Sequence, residues 1–341
     1  FYLAVGLRFL KKRRDQGGEG ISLPSRPKEE FLSLLPFVPT GAQSRVMEEV
    51  AADMTGDRPM NRLVQGDVGS GKTAVAAYAG WLCAKGGCQA ALMAPTEVLA
   101  EQHFRSLSQL LASAGVRVGL LTGSMTAAEK KKARAALAEG EIDFVVGTHA
   151  LISEGVAFRR LALIVADEQH RFGVVQRAAL AAKSGEDTAP HVLVMSATPI
   201  PRTLALIIYG DLDVSVIDQL PPGRTPIETY VVHEDKRQRM YGYVRKQVGE
   251  GRQVYIICPA VEENPDAALP GEESPALNLK AVKTYAGKLQ KEVFPELRLG
   301  ILHGKMKPKE KEAAMAAFAA GETQVLVATT VVEVGVDVPN A

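Results

Sequence analysis

Leu63-Val64-Gln65-Gly66-Asp67-Val68-Gly69-Ser70-Gly71-Lys72-Thr73 is the stretch on which the fold turns. Leu63–Gln65 reads as a short strand, Gly66–Thr73 matches G-x-x-x-x-G-K-[ST] in full, and a helix is expected from about Thr73. That order has a physical purpose. The glycines let backbone N–H groups turn inward around phosphate oxygens, and the helix N-terminus adds its partial positive charge. On this reading Gly66, Gly69, Ser70 and Gly71 form the cradle of an ATP site. Lys72 reaches the β- and γ-phosphates, and the Thr73 hydroxyl is a ligand for Mg²⁺. The competing explanation is a Gly-rich turn that happens to end in Lys-Thr, and the flanking strand and helix weigh against it.

Outward from this stretch, short apolar runs alternate with longer amphipathic segments. The runs are Leu63–Gln65, Ala90–Met93, Val116–Leu121, Phe144–Gly147, Leu161–Ala166 and Val192–Met195. Branched apolar runs separated by helical patterns predict βαβ units and an α/β fold around a parallel sheet buried on both faces. One of them, Leu161–Ala166, runs directly into Asp167-Glu168-Gln169-His170. Such a strand delivers its carboxylates to the sheet's carboxyl edge, beside the phosphate loop. Asp167 then belongs to the Mg²⁺ shell, and Glu168 orients and deprotonates the attacking water. An isolated Asp-Glu pair would be read as a solvated turn; beside a complete phosphate loop the catalytic reading prevails. The implied chemistry is nucleoside triphosphate hydrolysis rather than transfer to a small molecule.

The chain has 341 residues, 46% hydrophobic and 23% charged, which suits two globular domains. Net charge is +1, so a polyanionic partner would need a local basic surface. Cys83, Cys88 and Cys258 show no CxxC spacing and read as reduced thiols of a cytoplasmic protein. No stretch approaches the length of a membrane span. At the start the basic cluster Lys11–Arg14 follows the apolar stretch, the reverse of a secretory signal. Both termini read as cut from a longer protein. The expected organisation is a lead-in over 1–35, a first lobe over 36–222 and a second over 223–341, with Leu220–Arg224 as linker. Thr229–Val232, Val254–Cys258, Leu299–Leu302 and Val325–Ala328 are the second lobe's expected strands, and Glu262–Pro275 an acidic surface loop.

Further motifs carry a resemblance. Ala94–Gln102, Leu121–Gly123, Gly147–Leu151, the DEQHRFG run at Asp167–Gly173 and Ser196–Thr203 occur in order. Leu302–Met306 and Ala328–Asp337 follow in the second lobe. Together they resemble superfamily-two helicases of the RecG family, from about Leu35 to Ala341. The resemblance implies two RecA-like parallel-sheet lobes in tandem, the second truncated. It implies that Gln43 reads adenine, and that Gly335 and Asp337 face the nucleotide. For Phe37 two readings stay equal, stacking on the base and filling the core. Pro95, Thr96, Gly123, Thr148, His149 and Thr329 become DNA contacts, suited to gripping phosphates without reading bases. His170, Ser196 and Thr198 become the coupling between hydrolysis and DNA, although a plain strand end also explains Ser196 and Thr198. The implied partner is branched DNA, such as forks and Holliday junctions, met by a monomer near the bacterial nucleoid without a membrane. A wedge domain before Phe1 and arginine fingers after Ala341 are also implied. The alternatives are the transcription–repair coupling translocase, which usually has Glu where Gln169 stands here, and an RNA helicase, whose DEAD or DEAH signature is absent. A nucleotide-dependent binding module without turnover is the third. Lys130–Lys132 reads as a solvated helix face and His191 as a strand-start residue.

Overall fold

The apolar residues around Leu63 form β1 (Asn61–Gly66), and the later runs form β2 (Gln89–Met93), β3 (Val118–Leu121), β4 (Phe144–Gly147), β5 (Leu161–Ala166) and β6 (His191–Ser196). With β7 (Asp213–Ile217) they make one seven-stranded sheet in the order β3-β4-β2-β5-β6-β1-β7. Every pairing in it is parallel. Residues of β2, β4 and β5 are buried throughout, as expected where helices cover both faces. The structure, a computed structural model, describes residues 21–167, 179–181, 183, 189–197, 212–219, 227–258, 282–304, 306–329, 338 and 340–341. The chain divides into two compact units, Phe1–Thr225 and Pro226–Ala341.

In the first unit, α1 (Lys28–Leu32) and α2 (Gly41–Met54) precede β1, and α3 (Lys72–Lys85), α4 (Glu97–Leu111) and α5 (Ala127–Glu139) connect the strands. Helix α3 is apolar on all sides, and Ala74 through Cys83 are all buried. A helix of that kind has to lie between two layers. Phe31 of α1 covers it from outside, with ring centroids 5.2 Å from Tyr78 and 5.8 Å from Trp81. The described lead-in residues thus pack on the first unit's core. On the sheet side the fit is close enough that a Cβ at Gly80 would come within 2.2 Å of the Phe144 ring. His191 opens β6 with its ring fully buried. Nδ1 accepts from the Met60 amide at 2.9 Å, and Nε2 donates to the Ile21 carbonyl at 2.7 Å. Burial holds its pKa below the ordinary value.

The second unit contains β8 (Val254–Ile257), β9 (Leu299–Leu302) and β10 (Val325–Ala328) in the parallel order β8-β10-β9. Its helices are α6 (Arg237–Gly249), α7 (Val282–Lys288) and α8 (Pro308–Ala319). Tyr241, Val282, Leu289 and Phe294 pack on Val325 and Val327, while Phe318 packs with Leu302, Leu326 and Ala328.

Two strand expectations need correction. Thr229–Val232 is extended and exposed, with Tyr230 at 75% and Val231 at 87%, and among the described residues it joins no ladder. Side chains suited to a strand make one only when a neighbouring strand is there to pair with. Conversely β7 was not anticipated. Its buried face carries Ser215 and Ile217 while Val214 is half-buried and Val216 exposed on the other, so hydropathy does not alternate with burial and nothing marks the strand. Glu168, His170, Thr198, Gly335 and Asp337 lie outside the described residues, as do the first twenty residues of the lead-in, the Leu220–Arg224 linker and the Glu262–Pro275 loop. Among the described residues no helix is long and apolar enough to cross a membrane.

Candidate nucleotide and nucleic-acid site

The turn after β1 has the geometry its glycines were expected to supply. Gly69 has φ +74° and Gly71 φ +93°, both in the left-handed region. The Ser70 amide donates to the Asp67 carbonyl at 3.1 Å, closing the turn, and α3 starts at Lys72 with Gly71 as N-cap. No side chain caps that end, so its first N–H groups face the loop. Lys72 Nζ bridges the loop from inside, donating to the carbonyls of Gly66 at 2.8 Å and Asp67 at 2.9 Å. An incoming phosphate would have to draw the ammonium away from these two oxygens. Ser70 is fully buried, and its hydroxyl has no hydrogen-bond partner among the described residues.

Gln43 stands behind the loop. Only 2% exposed, it donates from Nε2 to the Ser70 carbonyl at 2.7 Å and accepts the Thr40 amide on Oε1 at 2.9 Å. Its amide therefore binds the start of α2 to the phosphate loop. Reading adenine would require it to give up or share these bonds. A Cβ on Gly71 would meet Gln43 Nε2 at 2.3 Å, so this contact is possible only against a glycine. Phe37 is 47% exposed, which removes it from the core. It lines a cavity of about 550 Å³ with Leu35, Pro36, Gly71, Thr73 and His103.

Asp167 follows β5 at the sheet's carboxyl edge, 8% exposed, with its amide donating to the Met93 carbonyl at 3.0 Å. Its Oδ2 lies 2.7 Å from Nε2 of His103 on α4, itself 8% exposed. The motif reading missed His103. A signal existed, because Leu99, His103, Leu107 and Leu111 fall four residues apart and all are buried. A histidine on an otherwise apolar stripe needs a polar partner. Thr73 and Asp167 supply the hard oxygen donors that Mg²⁺ takes. No group of three or more His, Cys, Asp or Glu capable of holding a metal occurs among the described residues. Mg²⁺ ordinarily keeps several waters and is bound through one or two carboxylates together with substrate phosphates, a demand that Thr73 and Asp167 could meet.

The remaining candidates follow the same edge. Gln65 pairs with Ser196, Ala166 with Val194 and Met93, and Gly147 with Met93 and Leu121. The loops therefore emerge in the order Gly123, Thr148–His149, Pro95–Thr96, Asp167, Ser196 and phosphate loop. The first three carry nucleic-acid candidates and the last three the nucleotide and coupling candidates. Thr96 caps α4 by accepting the Leu99 amide at 3.3 Å. Glu97, also missed, accepts the Ser124 amide at 2.8 Å and so ties the loop after β2 to the loop after β3. Lys130 donates to the Gly123 carbonyl, while Lys131 and Lys132 are the solvated face expected of them. His149 and Gly123 are exposed and Thr148 is buried. In the second unit Thr329 follows β10, 5% exposed, its amide donating to the Leu302 carbonyl at 3.1 Å.

The DEAD/DEAH box helicase family matches residues 40–207, and the helicase conserved C-terminal domain matches residues 235–341. The ATP-dependent DNA helicase RecG of Synechocystis sp. is 51% identical over all of this chain, which spans 40% of that protein. That of Thermotoga maritima is 45% identical, again over all of this chain and 42% of the relative. A solved structure of RecG bound to a three-way DNA junction superposes with a TM-score of 0.79 at 41% identity, covering 99% of this chain and 43% of that one.

Proposed function

We propose, from the premise that this chain is a homologue of the RecG ATP-dependent DNA helicases, that it is the motor of a helicase that remodels branched DNA. It spans about two fifths of the length of those relatives. One observation carries the reading. A single sheet edge holds the phosphate loop, the buried Asp167 and three further loops suited to phosphate contacts, in an unbroken row. Hydrolysis at one end of such a row can shift loops at the other, because neighbouring strands share a ladder of hydrogen bonds.

In the proposed cycle ATP enters beside Phe37 and Thr73, and Lys72 leaves the Gly66 and Asp67 carbonyls for the β- and γ-phosphates. Gln43 holds the loop at Ser70 and senses the adenine edge. Mg²⁺, when bound, supplies positive charge against the phosphate oxygens, with Thr73 and Asp167 as its protein ligands. Glu168 orients the attacking water and takes its proton. Gly335 and Asp337 are proposed as further nucleotide contacts. Ser196, Thr198 and His170 report loss of the γ-phosphate to Pro95, Thr96, Gly123, Thr148, His149 and Thr329, which hold DNA phosphates. The expected setting is the bacterial cytoplasm, at forks and Holliday junctions of the chromosome, with the protein acting as a monomer.

The test is ATP hydrolysis by the intact protein without DNA, with linear duplex and with a three-way junction. Turnover should rise most on the junction and be abolished by Lys72→Ala. Nucleotide binding without turnover on any DNA would refute the motor and leave a nucleotide-dependent binding module.

A further inference from the structure

Helix α4 joins two parts of the row that are separated in function. Its N-terminal loop, Pro95–Thr96, is one of the proposed DNA contacts, and Thr96 fixes the first turn by capping the Leu99 amide at 3.3 Å. Two turns further on, roughly 10 Å along the axis, His103 presents Nε2 to Oδ2 of Asp167 at 2.7 Å. Both groups are buried, and they lie 64 residues apart in the chain. A bond of this kind can simply fasten a helix to a sheet. Two further observations argue for more. Asp167 is the proposed metal ligand, and among the described residues its side chain bonds through Oδ2 alone, which leaves Oδ1 for a second partner. His103 also lines the cavity that contains Gly71, Thr73 and Phe37, the one through which ATP is proposed to enter.

We infer that His103 is the positioning residue of Asp167, and that α4 links the DNA-gripping loop to the metal ligand as one rigid body. The inference deepens the motor reading and rests on it. A carboxylate that binds a metal through one oxygen is oriented by a donor on the other, and loss of such a partner typically costs 10–100-fold in metal affinity or activity. The carboxylate is held before any metal arrives, so no reorientation is needed on binding. When DNA phosphates draw on Pro95–Thr96, the displacement passes through two turns of hydrogen-bonded helix to His103. Asp167 then moves with it. Ser196 and Thr198 offer a route from nucleotide to DNA, and α4 offers the shorter route from DNA to metal.

The test uses the intact protein and three variants, His103→Gln, His103→Asn and His103→Leu. Gln carries an N–H donor at about the reach of Nε2; Asn falls short, and Leu has none. A fluorescent ATP analogue is titrated with MgCl₂ in the absence of DNA, a readout that needs no turnover. His103→Leu and His103→Asn should raise the half-saturating Mg²⁺ concentration by about 10–100-fold, and His103→Gln should restore it to within about threefold of wild type. At saturating Mg²⁺, DNA stimulation of hydrolysis should fall at least about fivefold in the Asn and Leu variants and recover in Gln. If Gln and Asn variants share a wild-type Mg²⁺ requirement, the positioning role is overturned, and this comparison stands even where the Leu variant fails to fold. A raised Mg²⁺ requirement with undiminished DNA stimulation overturns the link through α4. Failure of the wild-type protein to hydrolyse ATP on DNA would strike the motor reading instead, leaving the Mg²⁺ titration interpretable by itself.

Discussion

Gly71→Ala tests the phosphate loop through its geometry and involves no reactive group. Gly71 sits at φ +93°, where an L-residue bears a strain of about 1–2 kcal/mol. The added Cβ would also stand 2.3 Å from Gln43 Nε2. Gln43 must yield, and its bond to the Ser70 carbonyl, 2.7 Å in the wild type, is the one in the way. Losing that bond adds about 0.5–1.5 kcal/mol. The total of about 1.5–3.5 kcal/mol corresponds to a fall in Tm of roughly 3–14 °C for a unit of this size. Gly115→Ala is the control, because φ there is +70° with nothing within 4 Å of the Cβ position. It carries the backbone strain alone. Thermal denaturation of both variants, with and without Mg·ATP, separates the two contributions. Gly71→Ala should be the less stable of the pair and should lose the stabilisation that nucleotide confers. In the double variant Gln43→Ala/Gly71→Ala the two losses should sum to less than their separate effects, with a coupling of about 1 kcal/mol. A Gly71→Ala protein that melts with Gly115→Ala and still gains stability from nucleotide would refute the reasoning.

Three other outcomes are expected. Glu168→Gln should retain nucleotide binding while hydrolysis falls roughly 10²-fold or more; loss of binding in a folded variant would remove Glu168 from the role of base. DNA affinity should depend steeply on salt and hardly on base sequence if the proposed contacts at Pro95, Thr96, Gly123 and Thr148 hold phosphates rather than bases. Competition between junctions of one shape and different sequence checks this, and a tenfold preference would contradict it. His191 makes the first unit acid-sensitive. Its folded pKa lies below the ordinary 6.5, so below that pH the unfolded chain takes up a proton the folded chain refuses, and stability falls as pH falls. Charging the ring would place a proton on Nδ1 against the Met60 N–H. The Tm measured from pH 7.5 to 5 should drop more steeply in wild type than in His191→Gln; equal slopes would show that the loss arises elsewhere.

What the sequence by itself determined was everything encoded in neighbouring residues. Gly66–Thr73 specified a strand, a turn and a helix start because the turn's φ angles, its inward N–H groups and its lysine lie within eight positions of one another. The apolar runs specified buried parallel strands because β2, β4 and β5 have no solvent face to alternate with. What only the tertiary structure decided was the set of pairings between segments far apart in the chain. The strand order β3-β4-β2-β5-β6-β1-β7, which gathers the candidate loops into one row, leaves no periodic trace in the residues. Neither does the rejection of Thr229–Val232 as a strand or the recruitment of Asp213–Ile217, since each depends on whether a neighbour is present to complete the ladder. The resemblance implied that Gln43 reads adenine; that the same amide also ties the Thr40 amide to the Ser70 carbonyl is visible only in the fold. His103 looked like one more residue of an amphipathic helix until β5 brought Asp167 to within 2.7 Å of it. A hydrogen bond across 64 residues depends on where the sheet sets down its strands, and hydropathy patterns carry no information about that placement.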